Sequence, residues 1–66
     1  MSRYQTRQTV IEAVQVAERM VISPTETFYQ NIYVVYPGDY LCIDDQGYKF
    51  PCRSDVFEKI YEPLTD

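Results

Sequence analysis

Apolar and polar positions alternate over short runs along most of this chain, and turn-forming residues separate the runs. Ile32 to Tyr36 is β-branched or aromatic throughout and predicts a strand. Pro37-Gly38-Asp39 follows as a turn signal, with Pro presetting φ at the second turn position and Gly accepting positive φ at the third. Tyr40 to Ile43 predicts the next strand, Asp44-Asp45-Gln46-Gly47 a hairpin loop, and Tyr48 to Phe50 the returning strand. Placing Ile43 opposite Tyr48 puts Leu41 opposite Phe50 and these four residues on one side of the sheet. Tyr40, Cys42 and Lys49 then point to the other side.

Thr9 to Ala17 supports two readings. Val10, Val14, Ala17 and Val21 follow a helical stripe, whereas Val10, Val14 and Val16 share a strand face. The β-branched content favours the strand, because such side chains are stiff in a helix and pack well on a pleated surface. Ser23-Pro24-Thr25 breaks the chain, since Pro24 pushes Ser23 out of the helical region. Ser54 to Tyr61 predicts a short helix, which Ser54 or Asp55 can cap, Asp55 standing at capping-box spacing from Glu58. Val56, Phe57, Ile60 and Tyr61 form the apolar stripe that would lie on the sheet, with Phe57 as anchor against Leu41, Ile43, Tyr48 and Phe50. Glu62-Pro63 ends the helix. The predicted fold is α+β: a small antiparallel sheet of three to four strands with one short C-terminal helix packed on it, in a single domain over residues 1–66.

Size and charge narrow the function. A chain of 66 residues buries only about 60% of its unfolded surface, so a deep pocket walled on all sides does not fit, and a surface, an edge or a subunit boundary does. A net charge of −4 with no clustered Lys and Arg argues against double-stranded DNA and anionic membranes as partners. The polar start Ser2 to Gln8 leads into no signal-peptide core, and no apolar run reaches the length of a membrane span. The cytoplasm is therefore the expected compartment, where two cysteines default to free thiols.

The residues that carry chemistry are sparse. There is no His, which removes the side chain best suited to proton transfer near neutral pH. Asp39 with Asp44 or Asp45 makes a poor catalytic pair, because a solvated hairpin tip does nothing to raise a carboxyl pKa. Cys42 and Cys52 lack the CxxC or His spacing of a zinc site, and the register above separates them onto opposite sheet faces, which disfavours a disulfide. Asp44-Asp45-Gln46-Gly47 lacks the alternating acids and distal Glu of a calcium loop. Neither a catalytic residue nor a cofactor or metal is expected. The seven Tyr and three Phe are read mostly as core and half-buried strand surface.

Pro37-Gly38-Asp39-Tyr40, Gly47, Pro51-Cys52, Asp55, Phe57-Glu58 and Tyr61-Glu62-Pro63 together resemble a group of small bacteriophage and prophage proteins that read like PGDYIV…G…YPCKPDIFEKTYEP. Val10-Ile11-Glu12-Ala13-Val14-Gln15 is similar to the VVIEAVQ of their N-terminal part. The middle, Val16 to Asn31, has no counterpart, and Gln8 and Ser54 stand where the group carries Pro. The resemblance implies a phage setting and synthesis inside a bacterial cell, and it implies no activity.

These readings lead to a non-enzymatic phage accessory protein that binds a protein, either a bacterial host factor or a second copy of itself. A structural homodimer and an oligomer that sequesters a small ligand are the alternatives. One helix covers one sheet face, so the expected binding surface is the other face, with Tyr36 and Tyr40 as contacts and Lys49 and Arg53 as polar rim.

Overall fold

A computed structural model describes residues 2–6 and 9–64. The fold is α+β and mostly sheet, with one short C-terminal helix. In chain order the strands are β1 (Ser2–Gln5), β2 (Val10–Gln15), β3 (Met20–Ile22), β4 (Tyr33–Val35), β5 (Tyr40–Ile43), β6 (Lys49–Cys52) and β7 (Glu62–Pro63), with helix α1 (Ser54–Ile60) between the last two. An antiparallel sheet of five strands runs β6-β5-β2-β1-β7, and β3 and β4 pair separately. The expected antiparallel sheet with one short C-terminal helix is present, and the described residues form seven strands in two sheets where three to four strands were expected. The missed ones are short or polar: β1 reads Ser-Arg-Tyr-Gln, and β7 is the two residues after the helix.

The ambiguous segment is a strand. Ile11 and Ala13 point inward and are buried, while Val10, Glu12 and Val14 point out, a period of two. β5 is the centre of the molecule. Its Tyr40 and Cys42 join Ile11, Ala13 and Phe57 in one core cluster under α1, while Leu41 joins Ile22 and Val35 in a second cluster. The β3–β4 pair therefore covers the sheet face that α1 leaves open, and burial of β5 from both sides explains its run of apolar residues.

The predicted β5–β6 register is off by one residue. Cys42 pairs with Phe50, Leu41 with Pro51 and Tyr40 with Cys52. The loop closes earlier than expected, because the Asp44 N–H donates to Tyr48 O (2.9 Å) and the Gly47 N–H to Asp44 O (3.1 Å), with Gly47 at φ +89°. This is a turn followed by one left-handed glycine, a bulge that adds a residue to one side of the ladder. One residue of slip exchanges the two faces. Tyr40, Cys42, Phe50 and Cys52 consequently share the face that α1 covers, and Leu41 lies on the other. Phe57 anchors the helix as expected, but on Tyr40, Tyr4 and Tyr61 instead of Leu41, Ile43 and Tyr48. Val56 and Ile60 are exposed, so the stripe narrows to Phe57 and the half-buried Tyr61.

The turn after β4 forms as predicted, with the Asp39 N–H donating to Tyr36 O (3.0 Å) and Gly38 at φ +91°. Its outcome at the helix differs from expectation. Neither Ser54 nor Asp55 occupies the N-cap position, which is Arg53, and no side chain of that position caps. Asp39 Oδ1 instead accepts the Ser54 N–H (3.1 Å), so the turn between β4 and β5 holds the start of α1. No described helix is long and apolar enough to cross a membrane.

Candidate functional site

The four residues expected to form a binding surface do not meet. Tyr40 is only 8% exposed and lies inside the core under α1. Tyr36 is exposed in the turn after β4, and Arg53 pairs with Asp55 at the start of α1 (3.1 Å). Lys49 is opposite Ile43 on the sheet face away from α1, where its Nζ meets Glu26 Oε1 at 2.6 Å. The register slip puts Lys49 on the face opposite to Tyr40, and Tyr40 is buried because α1 packs on its face.

A different group of aromatic side chains comes together between β3 and β4. After Ile22 the chain makes a 3-10 turn at Pro24–Glu26 and reaches Thr27, which is buried. The Thr27 hydroxyl accepts the Asn31 N–H (2.9 Å) and lies within donating distance of Asn31 O (3.0 Å) and Pro24 O (3.2 Å). The Gln30 N–H donates to Thr27 O (3.2 Å), with Gln30 at φ +59°. Thr27 to Gln30 is therefore a tight turn whose two apical residues are Phe28 and Tyr29. Turns favour Gly, Pro, Asn, Asp and Ser for conformational reasons, and two aromatic rings at an apex fulfil none of them.

Those rings face solvent, Phe28 at 63% and Tyr29 at 73% exposure. Tyr29 packs edge-to-face on Phe28 with centroids 5.1 Å apart, and Phe28 packs edge-to-face on Tyr48 at 5.4 Å. The Phe28–Tyr48 pair forms a ridge between two shallow hollows. One, of about 450 Å³, is lined by Tyr29, Tyr33, Phe50, Asp44 and Lys49 besides the ridge; the other, of about 480 Å³, is lined by Pro24, Thr25, Thr27 and Gln30. The Lys49–Glu26 ion pair ties the 3-10 turn to β6 beneath this surface, and Lys49 holds the Glu26 carboxyl below its ordinary pKa by hydrogen bond and charge. At the hairpin, Asp44 Oδ1 accepts the N–H groups of Gln46 (3.0 Å) and Tyr48 (2.9 Å), which fixes the segment leading into Tyr48.

Both cysteines belong to the core beneath α1. Cys42 is wholly buried, and burial, with Cys52 nearby, pushes its thiol up to about 12. Burial and the neighbouring Asp39 and Asp55 also raise Cys52. A thiol kept protonated is a weak nucleophile. Contrary to the expected register, both cysteines lie on the face under α1, at diagonal positions of the ladder, and both are free. Diagonal Cα atoms sit roughly 7–8 Å apart, beyond the roughly 4.4–6.8 Å that a disulfide spans. Among the described residues no group of three or more His, Cys, Asp or Glu side chains could hold a metal ion.

The sequence carried one sign of the aromatic surface. Phe28-Tyr29 is an aromatic pair inside a stretch with neither strand nor helix period, bounded by Pro24 and Asn31. Against known proteins, the chain matches no family model, no curated protein and no solved structure.

Proposed function

We propose that this chain is a non-enzymatic protein-binding domain whose contact surface is the aromatic ridge of Phe28, Tyr29 and Tyr48. The observation that carries the reading is the exposure of two adjacent rings, 63% and 73%, at the apex of a turn fixed from below by a buried threonine. Holding large apolar rings in water forgoes their burial, and a rigid exposed aromatic patch is what protein contacts use as anchors. Tyr and Phe suit this role because they bring much contact area with few rotatable bonds. In the phage setting implied by the resemblance above, the partner is a host protein met in the bacterial cytoplasm.

Site-specific photocrosslinking in bacterial cells tests the proposal. A photoreactive residue at Tyr29 should cross-link to a protein, and one at Ile60, exposed on α1, should not. Equal products from both positions, or none from position 29, would overturn the reading, and a product containing only this chain would replace the host partner with a second copy.

A further inference from the structure

We infer that the occupant of the aromatic surface is an extended, proline-containing segment with a basic residue at one end, an inference that rests on the protein-binding reading above. Three features of the surface point to this ligand. First, it is a ridge with a hollow on each side, and both hollows use Phe28 and Tyr48 as a wall. A polyproline helix repeats every three residues, so every third side chain lines one edge and the others flank it, and it can straddle a ridge and seat groups on both sides. Proline rings are flat, apolar and stiff, and they stack on aromatic faces with little ordering cost. Second, the backbone carbonyls of a polyproline helix make no internal hydrogen bonds and need outside donors. Tyr29, Tyr33 and Tyr48 line the more aromatic of the two hollows, and each carries a phenolic hydroxyl that can donate.

The third feature is charge. Lys49, the one cation lining the aromatic hollow among the described residues, is matched by Glu26. Asp44 borders the same hollow, Asp45 follows it at the hairpin tip and lines the neighbouring cleft, and neither makes an ion pair among the described residues. The neighbouring cleft is lined by Asp44, Asp45 and Glu12 with Arg3, so carboxylates outnumber cations there as well. The end of the surface at the hairpin is thus acidic and fits a Lys or Arg of the ligand. The same carboxylates argue against two other occupants. A two-fold contact through the hairpin tip would set Asp44 and Asp45 against their own copies, and a nucleic acid would bring phosphates to them.

Titration of the isotope-labelled full chain with three synthetic peptides tests the inference: a short polyproline peptide ending in arginines, the same peptide ending in glutamates, and a Gly-Ser peptide ending in arginines. The first should shift the resonances of Phe28, Tyr29 and Tyr48 and bind more tightly than the other two. Tyr29→Ala, at an exposed position where the melting curve should not move, should weaken it roughly thirty-fold, the loss typical of an anchoring ring. Asp45→Lys should reverse the preference between arginine and glutamate ends. Equal binding of the Gly-Ser peptide would mean attraction by charge alone and would overturn the inference, as would shifts confined to other surfaces. A protein cross-linked at position 29, combined with no response to the proline peptide, sinks this inference and leaves the protein-binding reading in place. Absence of both removes the two together.

Discussion

The Phe57 ring lies flat on the Tyr40 ring, with centroids 3.8 Å apart and planes 13° from parallel. Tyr4 meets the same Phe57 edge-on at 4.8 Å and Tyr61 stacks at 4.9 Å, so one helical residue gathers rings from β1, β5 and the helix end. Phe57→Ala should cost about 3–5 kcal/mol through lost transfer energy and the cavity left behind. That matches the few kcal/mol that a core of this size supplies, so the variant should show no cooperative melting transition. Tyr40→Ala should behave alike, because Tyr40 is a core residue, whereas Tyr40→Phe keeps the stack and should melt close to the parent protein. A normal melting curve for Phe57→Ala would refute the packing.

Much of the fold was legible because local chemistry and the final structure agree. Pro37-Gly38 makes the turn its residues demand, β5 spans the residues its pattern predicted, and Pro63 stands just past the helix. Where the reading failed, a single residue decided it. Counting four loop residues after Ile43 gives one register, and the left-handed Gly47 gives the other, with the faces exchanged. A period of two cannot arbitrate here, because Tyr40, Leu41 and Cys42 are all buried and β5 has no polar face to mark the outside. β1 was illegible for the opposite reason. Its ladder with β2 needs backbone groups alone, and only Tyr4 of its side chains joins the core. The aromatic surface escaped notice because Phe28 and Tyr29 fit the composition of a core and are placed outside it by a hydrogen-bonded turn that periodicity does not encode.

Burial of the thiols and phenols predicts an alkaline limit to stability. The folded chain favours protonated Cys42, whose thiol rises from an ordinary 9.0 to about 12, chiefly by desolvation. Cys52, Tyr40 and Tyr61 are shifted in the same direction, each mainly by burial. The unfolded chain releases these protons first, so their contribution is intact below the unfolded values and falls as pH rises toward the folded ones. Denaturant midpoints should therefore drop between pH 9 and pH 12. Cys42→Ala should flatten the start of that decline. In the native protein at neutral pH, Cys42 should resist alkylation while Cys52 reacts slowly, and both should react once the chain is unfolded; rapid native labelling of Cys42 would contradict its burial.

The Lys49–Glu26 pair predicts an acid limb of opposite sign. Lys49 lowers the Glu26 carboxyl below its ordinary 4.5, so the folded chain favours the ionised form. The stabilisation is present above the unfolded pKa and is lost as pH falls through the lower folded one. Both groups are partly exposed, so the effect is small and sensitive to salt. Lys49→Gln should return the Glu26 titration, followed by carboxyl chemical shifts, to the ordinary range. If Glu26 titrates identically with and without Lys49, the tie between the 3-10 turn and β6 is absent in solution.

Thr27 is buried at the edge of the second hollow and supports the aromatic surface through its hydroxyl. Its hydroxyl serves the Asn31 N–H and lies against the Pro24 and Asn31 carbonyls, inside a turn that also holds Gln30 in the left-handed region. A residue other than Gly or Asn in that region costs roughly 1–2 kcal/mol, so the turn depends on partners that compensate. Thr27→Val keeps the shape and removes the hydroxyl, which strands a buried donor and should cost about 1–3 kcal/mol. The expected result is a lower melting temperature, broadened resonances confined to residues 27–31, and weaker binding of the proline peptide although every ring is still present. Thr27→Ser restores the hydroxyl and should recover most of the binding, which a purely volumetric role for Thr27 would not allow. Should Thr27→Val bind as tightly as the parent chain, the rings do not need a rigid turn, and their exposure at its apex loses the significance given to it here.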